Sequence, residues 1–247
     1  MKRFLLSVII VFFSTLAAFS QAPAYKLDFK IEGLNDTTLL LGHYYSESTY
    51  AKDTAKSVNG VFSFDGKKAL PPGMYFIIKG KIKLFELLVS NNQKFQMTTS
   101  TKDYVANMKV TGDYDNQLFF ENMRFNVERN TEAEPHVKVM QDSTASEEAK
   151  KTAREALIKI NDKVMAYQDG IIAKYPESFT AKLFKTTKRI DVPEPPKRAD
   201  GSIDSTFQLR YYREHYFDNF DLSDESLIRL NRNIYKEKVD EYLDKLF

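Results

Sequence analysis

Cysteine and tryptophan are absent from the 247-residue chain. Without a thiol there is no disulfide framework, no CxxC redox pair, no thiolate zinc site, no iron–sulfur cluster and no cysteine nucleophile. Glycine is scarce and unevenly spread. Seven of the nine glycines lie between Gly33 and Gly112, and only Gly170 and Gly201 follow. None of them builds GxGxxG or GxxxxGK[ST], so the loops that cradle phosphate with backbone N–H groups are missing. The three histidines, His43, His136 and His215, stand far apart, with no HxxxH or HxH pair to seed a metal site. No GxSxG elbow marks a hydrolase nucleophile, which makes a cofactor-free hydrolase the weakest reading. The expectation is a chain that is not an enzyme, with no catalytic, cofactor-binding or metal-binding residue.

Net charge is equally spare. The formal +2 comes from 36 Lys+Arg against 34 Asp+Glu. Lys2 and Arg3 precede an apolar run of about sixteen residues, Phe4 to Phe19, which ends in Ala18-Phe19-Ser20. Basic start, apolar middle and small residues at the cleavage positions make residues 1–20 a secretory signal, and the run is short for a membrane span of roughly 20 residues. Loss of Lys2 and Arg3 leaves as many bases as acids. The chain from Gln21 on is therefore neutral and has no global field to gather nucleic acid or anionic membrane. Nucleic acid is not an expected partner, and neither is membrane once the signal is cleaved. The expected location is the periplasm, after secretion across the inner membrane. A lipoprotein anchor is excluded, since it needs a Cys.

What is present divides near residue 112. Tyr25, Leu27, Phe29 and Ile31 alternate with Lys26, Asp28, Lys30 and Glu32, the period-2 pattern of a half-buried strand. Similar segments span 37–45, 51–58, 61–64, 74–79, 84–90, 94–99 and 108–111. Asn59-Gly60 fits a two-residue hairpin turn with positive φ at both positions. About seven short strands at this spacing predict an antiparallel β-sandwich or open barrel over residues 21–112. Helices are expected over 113–247, giving an α+β chain. The first runs from Asp113 to Asn130, followed by a polar break at 130–141 that contains Pro135. The second covers about 143–174, where Ala153, Leu157, Ile160, Val164, Tyr167 and Ile171 step at heptad spacing. Pro176 ends it, and Ser178 caps the next, through Lys188. Pro193, Pro195 and Pro196 make 191–202 an extended linker. Residues 207–219 read as helical, and Ser223 is expected to cap a last helix through Leu246. That last helix would draw its N-terminal charge complement from Asp224 and Glu225.

The most unusual local composition is Arg210 to Asp221. Tyr211, Tyr212, His215, Tyr216, Phe217 and Phe220 crowd together beside Arg210 and Arg213. Tyr and Arg are enriched at binding hot spots, so these six residues are the candidate partner-contact surface. A helix packing its aromatic face on its own neighbours is the competing reading. Asn35-Asp36-Thr37 matches a glycosylation acceptor but carries no weight, because such triplets are common.

Several of these motifs also occur together elsewhere. The opening strand Tyr25-Lys-Leu-Asp-Phe-Lys-Ile-Glu-Gly33, Asp53-Thr54 leading to Val58-Asn-Gly-Val-Phe-Ser-Phe64, Pro72-Gly-Met-Tyr75 and Val110-Thr-Gly-Asp113 resemble one all-β domain. It is the domain of unknown function that precedes the thioredoxin-like domain in envelope thiol:disulfide oxidoreductases of the TlpA/ResA type. The helical block, marked by Tyr212-Arg-Glu-His-Tyr-Phe-Asp-Asn-Phe-Asp-Leu-Ser-Asp-Glu225, is similar to the helical domain beside it. Such relatives carry a CxxC thioredoxin fold, and this chain has no Cys. The resemblance therefore implies a non-catalytic accessory region that holds an envelope protein or positions a thioredoxin-like domain. A truncated or split product is expected, because Leu243-Asp-Lys-Leu-Phe247 reads as a helix cut before its cap. The alternative is a stand-alone envelope binding module for a peptide or glycan.

Overall fold

A computed structural model of the chain describes residues 22–35, 37–197, 199–231 and 233–247. The expected signal segment, the start near Gln21 and Asp36 of the acceptor triplet lie outside the described residues. Among the described residues the protein is α+β, with an eight-stranded curled sheet followed by five helices. The strands are β1 (Tyr25–Glu32), β2 (Thr38–Tyr45), β3 (Ser48–Val58), β4 (Val61–Gly66), β5 (Gly73–Lys79), β6 (Ile82–Val89), β7 (Lys94–Ser100) and β8 (Lys109–Thr111). Their order across the sheet is β6-β5-β2-β3-β4-β1-β7-β8.

The connection between β6 and β7 forces the curl. These strands stand first and seventh in the order, about 29 Å apart if the sheet were flat at ~4.8 Å per strand. The stretch from Val89 to Lys94 reaches at most about 18 Å. The sheet therefore rolls until β6 approaches β7, which is the open-barrel form of the expected β domain. One pair departs from antiparallel order: β1 and β7 run parallel, from Lys26 opposite Lys94 to Glu32 opposite Ser100. The rolled connection delivers β7 to the free edge of β1 in the same direction, which no hairpin can do. The tight turn at Asn59-Gly60 forms as expected, with φ of 53° and 78°.

Gln93 closes the seam. Its buried amide accepts from the Leu70 N–H at 2.8 Å and donates to the Leu70 carbonyl at 2.8 Å and the Ser90 carbonyl at 3.0 Å. Its own carbonyl accepts from the Lys26 N–H at 2.7 Å. The side chain thus joins the approach to β5 to the β6–β7 link, and the backbone carbonyl of the same residue ties that link to the start of β1. Inside the curl, Leu27, Phe29, Phe62, Phe64, Tyr75, Ile77 and Leu87 are among the fully buried side chains.

The helices are α1 (Tyr114–Gln141), α2 (Glu147–Lys174), α3 (Phe179–Thr187), α4 (Phe207–His215) and α5 (Ile234–Glu241). Asp113 caps α1, accepting from the Asn116 N–H at 2.8 Å. The fully buried Asn116 side chain then pairs with both backbone groups of Leu88, at 2.8 and 2.7 Å, and pins the helix start to β6. Phe119 and Phe120 of α1 join the sheet's own core, as do Phe179, Phe220, Leu227 and Leu230 from further along. The main core therefore runs across residue 112.

Four helical expectations are corrected. The polar break at 130–141 is helical, and α1 continues through Pro135. A proline in a helix interior costs about 3 kcal/mol. Here α2 packs alongside and offsets that cost, with Phe125 stacked on Tyr167 at 4.2 Å and Lys163 reaching Glu132 at 2.6 Å. The second helix begins at Glu147, not 143, because the Thr144 hydroxyl and N–H bind Asp142 and Ser146 takes the cap. The helix expected from Ser223 to Leu246 is broken. Ser223 bonds Asp221, and Ser226 bonds Asp224, in local side-chain turns that compete with helix. A 3-10 turn at Leu227–Arg229 follows, and helix resumes only at Ile234 before a π segment, Tyr242–Leu246. Asp224 instead pairs with Lys182 at 2.5 Å, so it does not complement a helix dipole. The helix expected over 207–219 also stops early, at His215.

Gln93→Leu keeps the side-chain bulk and strands two buried backbone groups at Leu70. The expected loss is about 2–4 kcal/mol, or roughly 5–15 °C in the melting temperature. A thermal scan that leaves the midpoint within a degree of wild type would contradict the role given to this seam.

Candidate functional site

The aromatic segment splits along its own helix. Residues four apart share a face of a helix, so α4 and the turn after it carry two rows. Phe207, Tyr211 and His215 form one row, with Phe207 and Tyr211 centroids 5.9 Å apart and Tyr211 stacked on His215 at 4.0 Å. His215 Nδ1 sits 2.7 Å from Asp218. Tyr212, Tyr216 and Phe220 continue the other row inward. Tyr216 is only 1% exposed and Phe220 only 2%. These two are corrected: they serve the interior and cannot meet a partner. Tyr211, Tyr212, His215 and Phe217 stay half-buried, with one side open to solvent.

The interior row is held by the C-terminal elements. The Tyr216 hydroxyl donates to Glu241 at 2.6 Å, and its ring meets Phe217, Tyr242 and Tyr212 at 4.9, 5.6 and 5.6 Å. Burial, the bond to Glu241 and the nearby carboxylate all hold the phenol protonated. The Lys238 ammonium rests 4.5 Å above the same ring. Burial pushes its pKa down, and the cation–π contact compensates part of the lost hydration. Phe220 packs on Tyr235 at 5.6 Å. Neither α4 nor α5 contains a fully buried residue, so Tyr216 and Phe220, just after α4, are its anchors.

A second feature was not found from the sequence. A cleft of about 540 Å³ opens where the β6–β7 link, the start of α1 and the α2–α3 turn meet. Tyr114 and Tyr175 form its aromatic wall, edge to face at 4.8 Å, and Asn91 and Asn92 also line it. Tyr114 is 45% exposed. Hydrogen bonding by Lys174 pulls the Tyr175 hydroxyl below its ordinary pKa. Asp115 stitches the floor, accepting from Ser90 at 2.7 Å and from the Thr180 N–H at 3.2 Å. Its residues come from segments 90–92, 112–115 and 174–178, so no local sequence signal could have assembled it.

His43 lies on β2, His136 within α1 and His215 at the end of α4. Among the described residues, no three His, Asp or Glu side chains converge on one point as metal ligands. No helix among the described residues is long and apolar enough to cross a membrane.

Comparison with known families finds one match. Residues 25–119 match a domain of unknown function (DUF4369). The matched region runs from β1 through the first turns of α1 and so includes Asp113, Asn116 and Phe119, the residues that fasten α1 to the sheet. No curated protein and no solved structure matches the chain.

The inward and outward rows separate by mutation. Tyr216→Ala should cost about 3–5 kcal/mol, and Tyr216→Phe about 1 kcal/mol for the lost hydroxyl bond. Tyr211→Ala should stay below about 1 kcal/mol. Urea unfolding of the three variants reads this directly, and equal losses for Tyr211→Ala and Tyr216→Ala would overturn the division.

Proposed function

We propose that this chain is the non-catalytic accessory region of a secreted thioredoxin-like thiol:disulfide oxidoreductase. It holds a substrate protein or positions the redox domain, and it carries no redox chemistry itself. The observation behind this reading is a juxtaposition. The β block whose motifs resemble the domain preceding such redox domains coincides with the matched residues 25–119, in a chain with no Cys. Dithiol exchange needs a thiolate to attack and a second thiol to resolve the mixed disulfide. A thioredoxin-like partner would have to supply both. The half-buried rings of Tyr211 and Tyr212, beside Arg210 and Arg213, offer the contact chemistry, large rings with little rotamer entropy to lose and cations at the rim.

The alternative, an envelope binding module for a peptide or glycan, draws support from the cleft at Tyr114 and Tyr175. One experiment separates the two. Purified protein is crosslinked in envelope extract, and its partners are identified by mass spectrometry. The accessory reading expects a CxxC-bearing thioredoxin-like protein among the partners, lost from Tyr211→Ala/Tyr212→Ala and kept by Tyr175→Ala. If no CxxC protein is retained, or if retention ignores Tyr211 and Tyr212, that reading fails. Loss with Tyr175→Ala alone favours the binding module.

A further inference from the structure

His43 occupies an odd position for a titratable group. On β2 it stands in register with Tyr50 of β3 and Tyr75 of β5. Its ring lies between theirs, at centroid distances of 5.7 and 5.6 Å. Nδ1 is buried and has no hydrogen-bond partner among the described residues. Burying an unpaired polar nitrogen is unfavourable, and burying a charged one is worse. The charged groups acting on the ring are Lys52 from β3 and Arg229 from the 3-10 turn, and both are cationic. From β5 the ring faces Tyr75, whose hydroxyl donates to the Pro71 carbonyl at 2.9 Å and is held protonated by burial.

Arg229 belongs to the segment that covers the sheet. That segment is fastened to β2 and its flank by the Ser46 N–H donating to the Ile228 carbonyl at 2.7 Å. Asn231 donates to Glu86 at 2.9 Å, and Leu227 and Leu230 are buried in the core. The Arg229 guanidinium lies 5.0 Å over the Tyr45 ring and donates to the Glu225 carbonyl at 3.1 Å. The backbone of Gly73 on β5 comes so close that an added Cβ would stand 2.5 Å from the Arg229 Cβ. Neutral His43 tolerates this arrangement. A protonated ring would face Arg229 and Lys52 as a third cation, with no acceptor on Nδ1.

We propose that His43 is a pH-sensitive latch that keeps residues 226–231 docked on β2 and β5 while neutral and loosens them when protonated. The sign follows from linkage. Burial, then Arg229 and Lys52, lower the His43 pKa in the docked state below its ordinary value. The released state, with His43 hydrated, binds the proton more readily, near pH 6.5. Docking is therefore fully favoured above that pH and weakens as pH falls through it towards the lower docked value. This inference does not depend on the oxidoreductase reading.

Amide hydrogen exchange on the purified protein, corrected for intrinsic rates at pH 7.5 and 5.5, tests it. The Ser46 amide, bonded to Ile228, should lose most of its protection at the lower pH, while the Leu27 amide deep in β1 keeps its own. Both His43→Gln and Arg229→Gln should flatten the Ser46 response, the first by removing the proton site and the second by removing the repelling charge. Should His43→Gln fold poorly, Arg229→Gln alone carries the comparison. Flat Ser46 protection in wild type, a parallel fall at Leu27, or an undiminished response in Arg229→Gln would each overturn the latch.

Discussion

The rolled sheet rests on a length constraint that a single buried amide makes permanent. A short link cannot join β6 to β7 unless the sheet curls, and a curled sheet leaves polar backbone stranded where its two ends meet. Gln93 satisfies that backbone at Leu70 and Ser90 while its own carbonyl takes the Lys26 N–H. In a low-dielectric interior such groups are worth most when fully paired and cost most when not. Everything inside the curl, from Phe29 to Leu87, is enclosed because this seam holds.

Curling also creates the surface that the rest of the chain serves. Phe119, Phe120, Phe179, Phe220, Leu227 and Leu230 join the sheet's core from the helical part, so strands and helices share one interior. Glu86 marks how closely they are tied, since it accepts from Tyr44 and Lys83 on the sheet and from Asn231 beyond it. The C-terminal elements are attached more thinly than α1. They depend on Tyr216, Phe220, Leu227 and Leu230, with α4 and α5 themselves only half-buried.

Local periodicity made the strands readable. The Tyr25 to Glu32 alternation and the Asn59-Gly60 turn are short-range signals, and the structure keeps both. The parallel pairing of β1 with β7 was not readable, because it follows from strand order and not from either strand's composition. Pro135 suggested a break that packing against α2 overrides. Between Leu227 and Leu246 the apolar spacing suggested one helix, but the Asp221–Ser223 and Asp224–Ser226 turns and the burial of Leu227 and Leu230 broke it. The aromatic segment was conspicuous in sequence, yet composition could not tell Tyr216 and Phe220, which are buried, from Tyr211 and Tyr212, which keep one side open to solvent. The cleft at Tyr114 and Tyr175 was invisible for a simpler reason: its walls come from three separate stretches of chain.

An accessory region should alter another protein's chemistry while performing none. The most direct measurement is insulin reduction by any CxxC protein that crosslinks to this chain, assayed with and without it. No reduction is expected from the chain alone, and the partner's KM for its protein substrate should change when the chain is present. Reduction by the chain alone, or partner kinetics identical in its presence and absence, would contradict it.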